Sequence, residues 1–79
     1  MPAFVFSADR LRAARRQCGL SRDQFAVRIG RTVSTVTKYE IGQLTPSASV
    51  LGAIAAVLDC EVGDLYVTEP ATAGRRRAR

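Results

Sequence analysis

The stretch GRTVSTVTKYEIG, residues 30–42, decides the fold because its local and its periodic signals disagree. Its run of β-branched residues favours a strand by propensity. A strand would send Val33 and Val36 to opposite faces, so that neither face would be consistently apolar. A helix capped by Thr32 places Val36 and Tyr39 on one side and most of the small polar residues on the other. We therefore predict a helix that begins after Thr32 and ends before the second glycine.

The preceding unit, LSRDQFAVRIG at residues 20–30, carries signals for a helix start and a helix stop. Ser21 and Gln24 have the spacing of a capping box, in which each side chain bonds the backbone N–H of the other residue. Gly30 follows the last apolar residue and can adopt the left-handed conformation that ends a helix. These signals predict a second helix over about residues 22–29.

Upstream, FSADRLRAARRQCG at residues 6–19 has the same organisation, with Ser7 as cap and a helix over about residues 8–18. We expect Cys18, like the distant Cys60, to be a buried or half-buried small apolar side chain. The chain contains no histidine. This composition excludes a Cys₂His₂ zinc site and a thiol–imidazole nucleophile, and the wide cysteine spacing excludes a CxxC redox pair.

Downstream, PSASVLGAIAAVLD at residues 46–59 is the most hydrophobic predicted helix, with Thr45 or Ser47 as its cap and Pro46 in its first turn. We expect this helix to form the centre of the core. The segment EVGDLY at residues 61–66 predicts a short last turn or helix that covers that core.

Together these patterns predict an all-α fold, a compact bundle of four to five short helices. The domain is expected to span residues 1–67 with a short N-terminal arm at residues 1–6, and residues 68–79 are expected to form a disordered basic tail. At 79 residues the chain has room for one small domain but not for a separate catalytic cleft. No apolar run approaches the roughly 20 residues needed to cross a bilayer, and no secretory signal is visible, so we expect a cytoplasmic protein.

Charge is segregated along the chain. Eight Lys and Arg against three Asp and Glu give residues 1–58 a balance of +5, whereas residues 59–69 hold four acids and no base. The final RRRAR, residues 75–79, returns the total to +5. This polarity predicts a polyanionic partner, with nucleic acid as the leading candidate and an acidic membrane surface as the weaker one.

The second and third predicted helices are joined by about three residues, which is the spacing of a helix-turn-helix. The chain also resembles the Cro-like phage-repressor family, the xenobiotic-response-element type of helix-turn-helix, whose fold is lambda-repressor-like. The matching features are LS before helix two, Ala26, Gly30, Thr32 as cap, Val36 in the buried position, YE followed by Gly42, and TPS before a Leu/Ile/Ala helix. With Arg15 in helix one, the resemblance covers about residues 8–66.

In that family the third helix enters the major groove, and the start of helix two approaches the DNA. The resemblance therefore implies a recognition helix at residues 32–41. The implied base-contact candidates are Arg22, Val33, Ser34, Thr37 and Lys38. For Arg22 and Lys38 a phosphate contact stays open as the alternative. The implied phosphate candidates are Ser21, Arg28, Arg31, Thr32, Gln43 and Thr45. The charge of the basic tail adds Arg75, Arg76, Arg77 and Arg79 as candidates for a phosphate contact that does not depend on sequence. Backbone N–H groups at the starts of helices two and four would add phosphate contacts.

Simpler roles stay open for several of these side chains. Val33 is also a candidate core contact, and Ser34 and Thr37 are candidates for ordinary solvent-facing residues. Arg28 and Arg31 are as compatible with a solvated charge as with a DNA contact.

Arg22, Arg31 and Ile41 stand at positions that need a separate account. A cation at the positive end of a helix is unfavourable, which favours an external anion as the partner of Arg22. Arg31 stands where the family usually has an apolar residue, so one core contact in the turn is missing or replaced by an arginine stem. Ile41 stands where a polar or basic residue is common.

Glu40, in the YE pair, has a structural role in the family, where it pairs with an arginine of helix one. The resemblance implies a partly buried ion pair between Arg15 and Glu40 that ties helix one to helix three. Removing one partner of such a pair is expected to destabilise the fold by a few kcal/mol.

These features predict a sequence-specific, double-stranded DNA-binding transcriptional regulator that acts as a repressor or autoregulator. Since one such helix reads only a few base pairs, we expect a homodimer on DNA. The dimer-contact candidates, whose simpler role is to close a small core, are Phe4, Val5, Val62, Leu65, Tyr66 and Val67.

The alternative function is a protein-interaction module, such as an antitoxin or adaptor that uses the same fold. The apolar N-terminal arm and the acidic end support it. An enzyme is not expected, because the chain lacks histidine, paired carboxylates and a phosphate-binding glycine loop. We expect neither a cofactor nor a metal ion.

Overall fold

The computed structural model describes residues 3–68, and this part contains four α-helices: α1 (Ala8–Gln17), α2 (Arg22–Ile29), α3 (Val33–Glu40) and α4 (Ala48–Leu58). A 3₁₀ turn (Val62–Leu65) follows, and two short strands, β1 (Phe4–Phe6) and β2 (Tyr66–Thr68), stand at the two ends. The predicted helical bundle is confirmed. The predicted basic tail lies, apart from Thr68, outside the described residues.

Local capping signals set the starts of the first three helices as predicted. The hydroxyls of Ser7, Ser21 and Thr32 each accept a hydrogen bond of 3.1 Å from the backbone N–H three residues later. Gln24 Oε1 completes the capping box by accepting the Ser21 N–H at 2.9 Å. Gly30 follows α2 at φ +70°, a left-handed conformation in which a Cβ would be strained.

The start of α4 differs from the prediction, because Pro46 lies before the helix and not in its first turn. The Ser47 hydroxyl accepts the Val50 N–H at 3.4 Å. Ser47, one of the two predicted candidates, is therefore the cap, and the helix begins at Ala48. Pro46 is buried, whereas Thr45 is exposed in the loop between α3 and α4.

The core forms where α4 packs against α2 and the 3₁₀ turn, and where α1 packs against α3. The side chains of α4 that it contains are Val50, Leu51, Ile54, Ala55 and Leu58. Leu65 is fully buried. It therefore closes the core, and its predicted role as a dimer contact was wrong. None of the described helices, α4 included, has the length and hydropathy to cross a membrane.

Within the segment predicted as an arm, residues 4–6 form strand β1. Its residues pair antiparallel with β2, with Phe4 opposite Thr68, Val5 opposite Val67 and Phe6 opposite Tyr66. The rings of Phe6 and Tyr66 meet edge-on, with centroids 6.2 Å apart. Three-residue strands carry too little periodicity to be predicted, and their partner lies at the far end of the sequence.

The two free cysteines occupy different environments. Cys18 is exposed, contrary to prediction, because it follows the last residue of α1, where its thiol donates a 3.4 Å hydrogen bond to the Leu58 carbonyl. Cys60 is half-buried, as predicted. Two main causes raise the pKa of the Cys60 thiol: its burial, which is the larger, and the nearby carboxylate of Asp64.

Candidate nucleic-acid interface

The turn between α2 and α3, residues 30–32, confirms the predicted helix-turn-helix spacing. The Arg31 N–H donates to the Ala26 carbonyl at 2.9 Å and the Gly30 N–H to the Val27 carbonyl at 3.1 Å, which satisfies the end of α2. The Arg31 side chain is exposed and donates only to the Gly30 carbonyl, at 3.2 Å. The apolar turn contact that is usual in the family is therefore missing here.

The two faces of α3 differ in burial, as its helical periodicity predicts. Val36, Tyr39 and Glu40 are buried against the rest of the domain. The outward residues are Val33, Ser34 and Lys38, which are exposed, Thr37, which is half-buried, and Ile41 just beyond the helix, which is exposed. Val33 is 39% exposed and is therefore not a core contact. The structure brings these candidates together on one open surface.

The predicted ion pair between Arg15 and Glu40 is present and buried. Arg15 Nε donates to Glu40 Oε2 at 2.6 Å, and Arg15 Nη2 donates to Glu40 Oε1 at 3.1 Å. The remaining terminal nitrogen, Nη1, donates to the Leu20 carbonyl at 2.8 Å. A two-point contact of this kind is among the stronger hydrogen-bonded pairs in proteins, and it fixes α1 against α3.

Arg22 also bonds Glu40, a partner within the chain that was not predicted. Its Nε donates to Glu40 Oε1 at 3.1 Å, so that this oxygen serves two guanidinium groups from different helices. One anion near Arg22 is thus supplied by α3 itself, and this bond uses only the Nε of Arg22. The charges of α2 alone could not predict this partner, because Glu40 lies on another helix.

Arg12 is a further positioning residue that the sequence reasoning missed. Its Nη1 donates to the backbone carbonyl of Glu40 at 2.9 Å, and its Nη2 pairs with Asp9 at 2.6 Å. A cation at this carbonyl satisfies the carboxyl end of α3. The available signal was its spacing from Arg15, since residues three apart share a helix face. We call Glu40, Arg12, Arg15 and Arg22 together the Glu40 clamp.

The phosphate candidates surround this surface unevenly. Ser21 and Thr32 use their hydroxyls as helix caps. Arg28 is exposed, as are Gln43 and Thr45 in the loop before α4. The tail candidates Arg75, Arg76, Arg77 and Arg79 lie outside the described residues.

Comparison with known proteins identifies a family and several solved structures that this chain resembles. A family model described as a helix-turn-helix domain matches residues 8–65. The restriction-modification controller protein C.AhdI from Aeromonas hydrophila has a similar structure, with a TM-score of 0.69 and 34% sequence identity over 73% of this chain and 84% of its own. None of the curated proteins matches the sequence significantly.

Two other solved structures share the fold. The P22 c2 repressor in complex with a synthetic operator aligns with a TM-score of 0.72 over 77% of this chain and 92% of its own, but at 20% identity the likeness concerns the fold alone. Hydroxypropylphosphonic acid epoxidase from S. wedmorenis aligns with a TM-score of 0.70 and 34% identity over 81% of this chain. This alignment covers only 33% of the epoxidase, so it reaches only a part of that enzyme.

Proposed function

Because the chain belongs to the helix-turn-helix domain family, we propose that it is a sequence-specific, double-stranded DNA-binding transcriptional regulator of the cytoplasm that acts as a repressor or autoregulator. The operator complex of the P22 c2 repressor and the controller C.AhdI are the structural neighbours that support this role. In this function α3 lies in the major groove and α2 crosses the DNA backbone.

The observation that carries the proposal is the division of α3 into a buried face and an open face. The open face offers hydroxyls at Ser34 and Thr37, methyl groups at Val33 and an ammonium at Lys38. Hydroxyls donate to or accept from base edges, valine contacts the thymine methyl, and lysine reaches guanine O6 or N7. The buried face and the Glu40 clamp hold these groups at a fixed orientation.

Phosphate contacts come from the edges of this surface. The backbone N–H groups at the starts of α2 and α4 suit an anion, and exposed Gln43 and Thr45 lie in the loop that leads to α4. Arg28 and Arg31 add positive charge. Residues 75–79 supply a grip that does not depend on sequence, so their deletion is expected to weaken binding to all duplexes alike and to flatten its salt dependence.

A homodimer binds two half-sites about one turn of DNA apart. The remaining dimer-contact candidates lie around the strand pair and the 3₁₀ turn: Phe4, Val5, Val62, Tyr66 and Val67. Phe4 is 74% exposed, which supports this surface most directly. The same observation supports the second candidate function, a protein-interaction module, in which a different protein covers Phe4.

The test of the proposed function is selection of bound duplexes from a randomised library at about physiological salt, followed by titration of the selected site against a scrambled duplex. We expect a two-fold symmetric site with half-sites about one turn apart. Lys38→Gln should weaken binding to this site, while Arg16→Gln, a change of the same kind at an exposed position of α1, should not. Binding without any preferred sequence, together with capture of a stoichiometric protein partner, would favour the interaction module instead.

A further inference from the structure

We propose that Glu40 positions Arg22 for a contact with a DNA phosphate, so that one buried carboxylate both holds the fold together and aims a DNA-binding side chain. This inference rests on the proposed function and deepens it. It also assigns Arg22 to the phosphate backbone and not to a base edge.

The Glu40 clamp contains more positive than negative charge, and the excess positive charge lies on Arg22. The single carboxylate of Glu40, whose side chain has no exposed surface, faces the guanidinium groups of both Arg15 and Arg22. The side chain of Arg15 is 8% exposed and that of Arg22 is 40% exposed. Since a buried charge without a partner is costly, the carboxylate compensates mainly the buried Arg15. The uncompensated positive charge is therefore carried by Arg22, at the surface.

The geometry of Arg22 leaves its terminal nitrogens available. Of its five N–H donors, the one on Nε is used by Glu40. Nη1 and Nη2 make no hydrogen bond within the described residues. Because the guanidinium is planar and rigid, holding Nε restricts the directions in which Nη1 and Nη2 point. Arg22 thus offers two terminal nitrogens as hydrogen-bond donors, while the buried carboxylate of Glu40 holds its Nε.

The place of Arg22 in the fold gives this donor its target. It is the first residue of α2, and Glu40 is the last residue of α3, so the bond between them joins the two helices of the motif. In a helix-turn-helix the first helix crosses the DNA backbone while the second lies in the groove. A phosphate accepts a guanidinium through two parallel hydrogen bonds, and Arg22 has two terminal nitrogens free for such a contact.

The first experiment compares Arg22 with Arg16, an exposed arginine of α1 whose side chain makes no hydrogen bond within the described residues, using Gln and Lys at both positions. Arg22→Gln should weaken binding about tenfold on selected and scrambled duplexes alike and reduce the salt slope by about 0.9. Arg22→Lys should bind almost as weakly, because one ammonium cannot hold Glu40 and a phosphate as a fork does. Arg16→Gln and Arg16→Lys should both bind like the unchanged chain.

Three results would overturn the inference: unchanged affinity and salt slope in Arg22→Gln, full rescue of affinity by Arg22→Lys, or an altered base preference. A change in melting temperature alone, with affinity retained, would mark Arg22 as a purely structural partner of Glu40. If the unchanged chain bound no duplex, the proposed function would fail first, independently of Arg22.

The second experiment tests whether Glu40 acts through Arg22. Glu40→Asp keeps the negative charge but moves it away from Arg22. Introduced alone, it should therefore lower the affinity for DNA. Introduced into a chain that already carries Arg22→Gln, it should have little further effect on affinity. Affinity is measured at a temperature at which circular dichroism shows every variant folded. An equal loss in both backgrounds would show that Glu40 does not act through Arg22 and would refute the coupling. If Glu40→Asp does not fold, the comparison of Arg22 with Arg16 still decides whether Arg22 contacts a phosphate, and Arg22→Lys tests whether the hold by Glu40 is needed.

Discussion

The Glu40 clamp and the strand pair β1–β2 fasten different parts of one small domain by opposite means. In the clamp, a buried carboxylate and three guanidinium groups hold the carboxyl end of α3 at distances of 2.6 to 3.1 Å. In the strand pair, three-residue strands meet through half-exposed side chains, and Leu65 lies buried beside them. The clamp thus concentrates its energy in a few buried charges, whereas the strand pair spreads it over shallow contacts.

The largest effect is expected from breaking the clamp with Glu40→Gln. The change preserves the shape of the side chain but leaves the buried Arg15 without its countercharge. Loss of one partner of a buried pair costs about 3–5 kcal/mol. Chemical denaturation should show a loss of this size in the free energy of unfolding.

The control for Glu40→Gln is Asp9→Asn, which removes the Asp9–Arg12 pair at the edge of the same clamp. The side chain of Asp9 is 87% exposed, so solvent screens this pair and the expected loss is below about 1 kcal/mol. If Glu40→Gln and Asp9→Asn lowered the free energy of unfolding by similar amounts, burial would not distinguish the Arg15–Glu40 pair from the Asp9–Arg12 pair.

The next largest effect is expected below the strand pair, with Leu65→Ala. This fully buried side chain packs in the core, and truncating a buried leucine costs about 3 kcal/mol. Val62→Ala, in the same 3₁₀ turn but 38% exposed, should cost less than about 1 kcal/mol. The free energy of unfolding of both variants checks this. If Leu65→Ala and Val62→Ala had equally small effects on the free energy of unfolding, the 3₁₀ turn would not be needed to stabilise the core.

A smaller effect is expected from breaking the strand pair itself. The Ser7 N–H donates to the Leu65 carbonyl at 2.8 Å, and the alternation of an antiparallel ladder then places the N–H of Val5 toward β2 and that of Phe4 away from it. Val5→Pro should therefore lose a ladder bond, worth about 1 kcal/mol, whereas Phe4→Pro should not. Thermal unfolding distinguishes them. Equal melting temperatures would contradict the assigned ladder.

The same two regions show what a sequence can and cannot predict. The caps at Ser7, Ser21 and Thr32 and the inward face of α3 were predictable because each signal lies within a few residues of its effect. The bond between Arg15 and Glu40 is distant in sequence, and only the family resemblance supplied it. The strand pair and the second bond of Glu40, to Arg22, had neither kind of support. They depend on how separate elements meet, which no local pattern records.

The smallest expected effect concerns the outward face that the clamp holds in place. The methyl groups of exposed Val33 should contact a thymine methyl in each half-site. Replacing thymines of the selected site by deoxyuridine, one at a time, should weaken binding about fourfold at that thymine, from about 0.8 kcal/mol for one buried methyl group.

Val33→Ala should abolish this sensitivity, whereas Val27→Ala, at a valine of α2 that is 79% exposed, should leave it intact. Val5→Pro should also retain it, because the strand pair does not hold α3. Sensitivity that survived Val33→Ala would assign the methyl contact to another residue. Sensitivity lost in Val5→Pro would show that the strand pair shares in seating α3, and the two regions could then no longer be treated as separate fastenings.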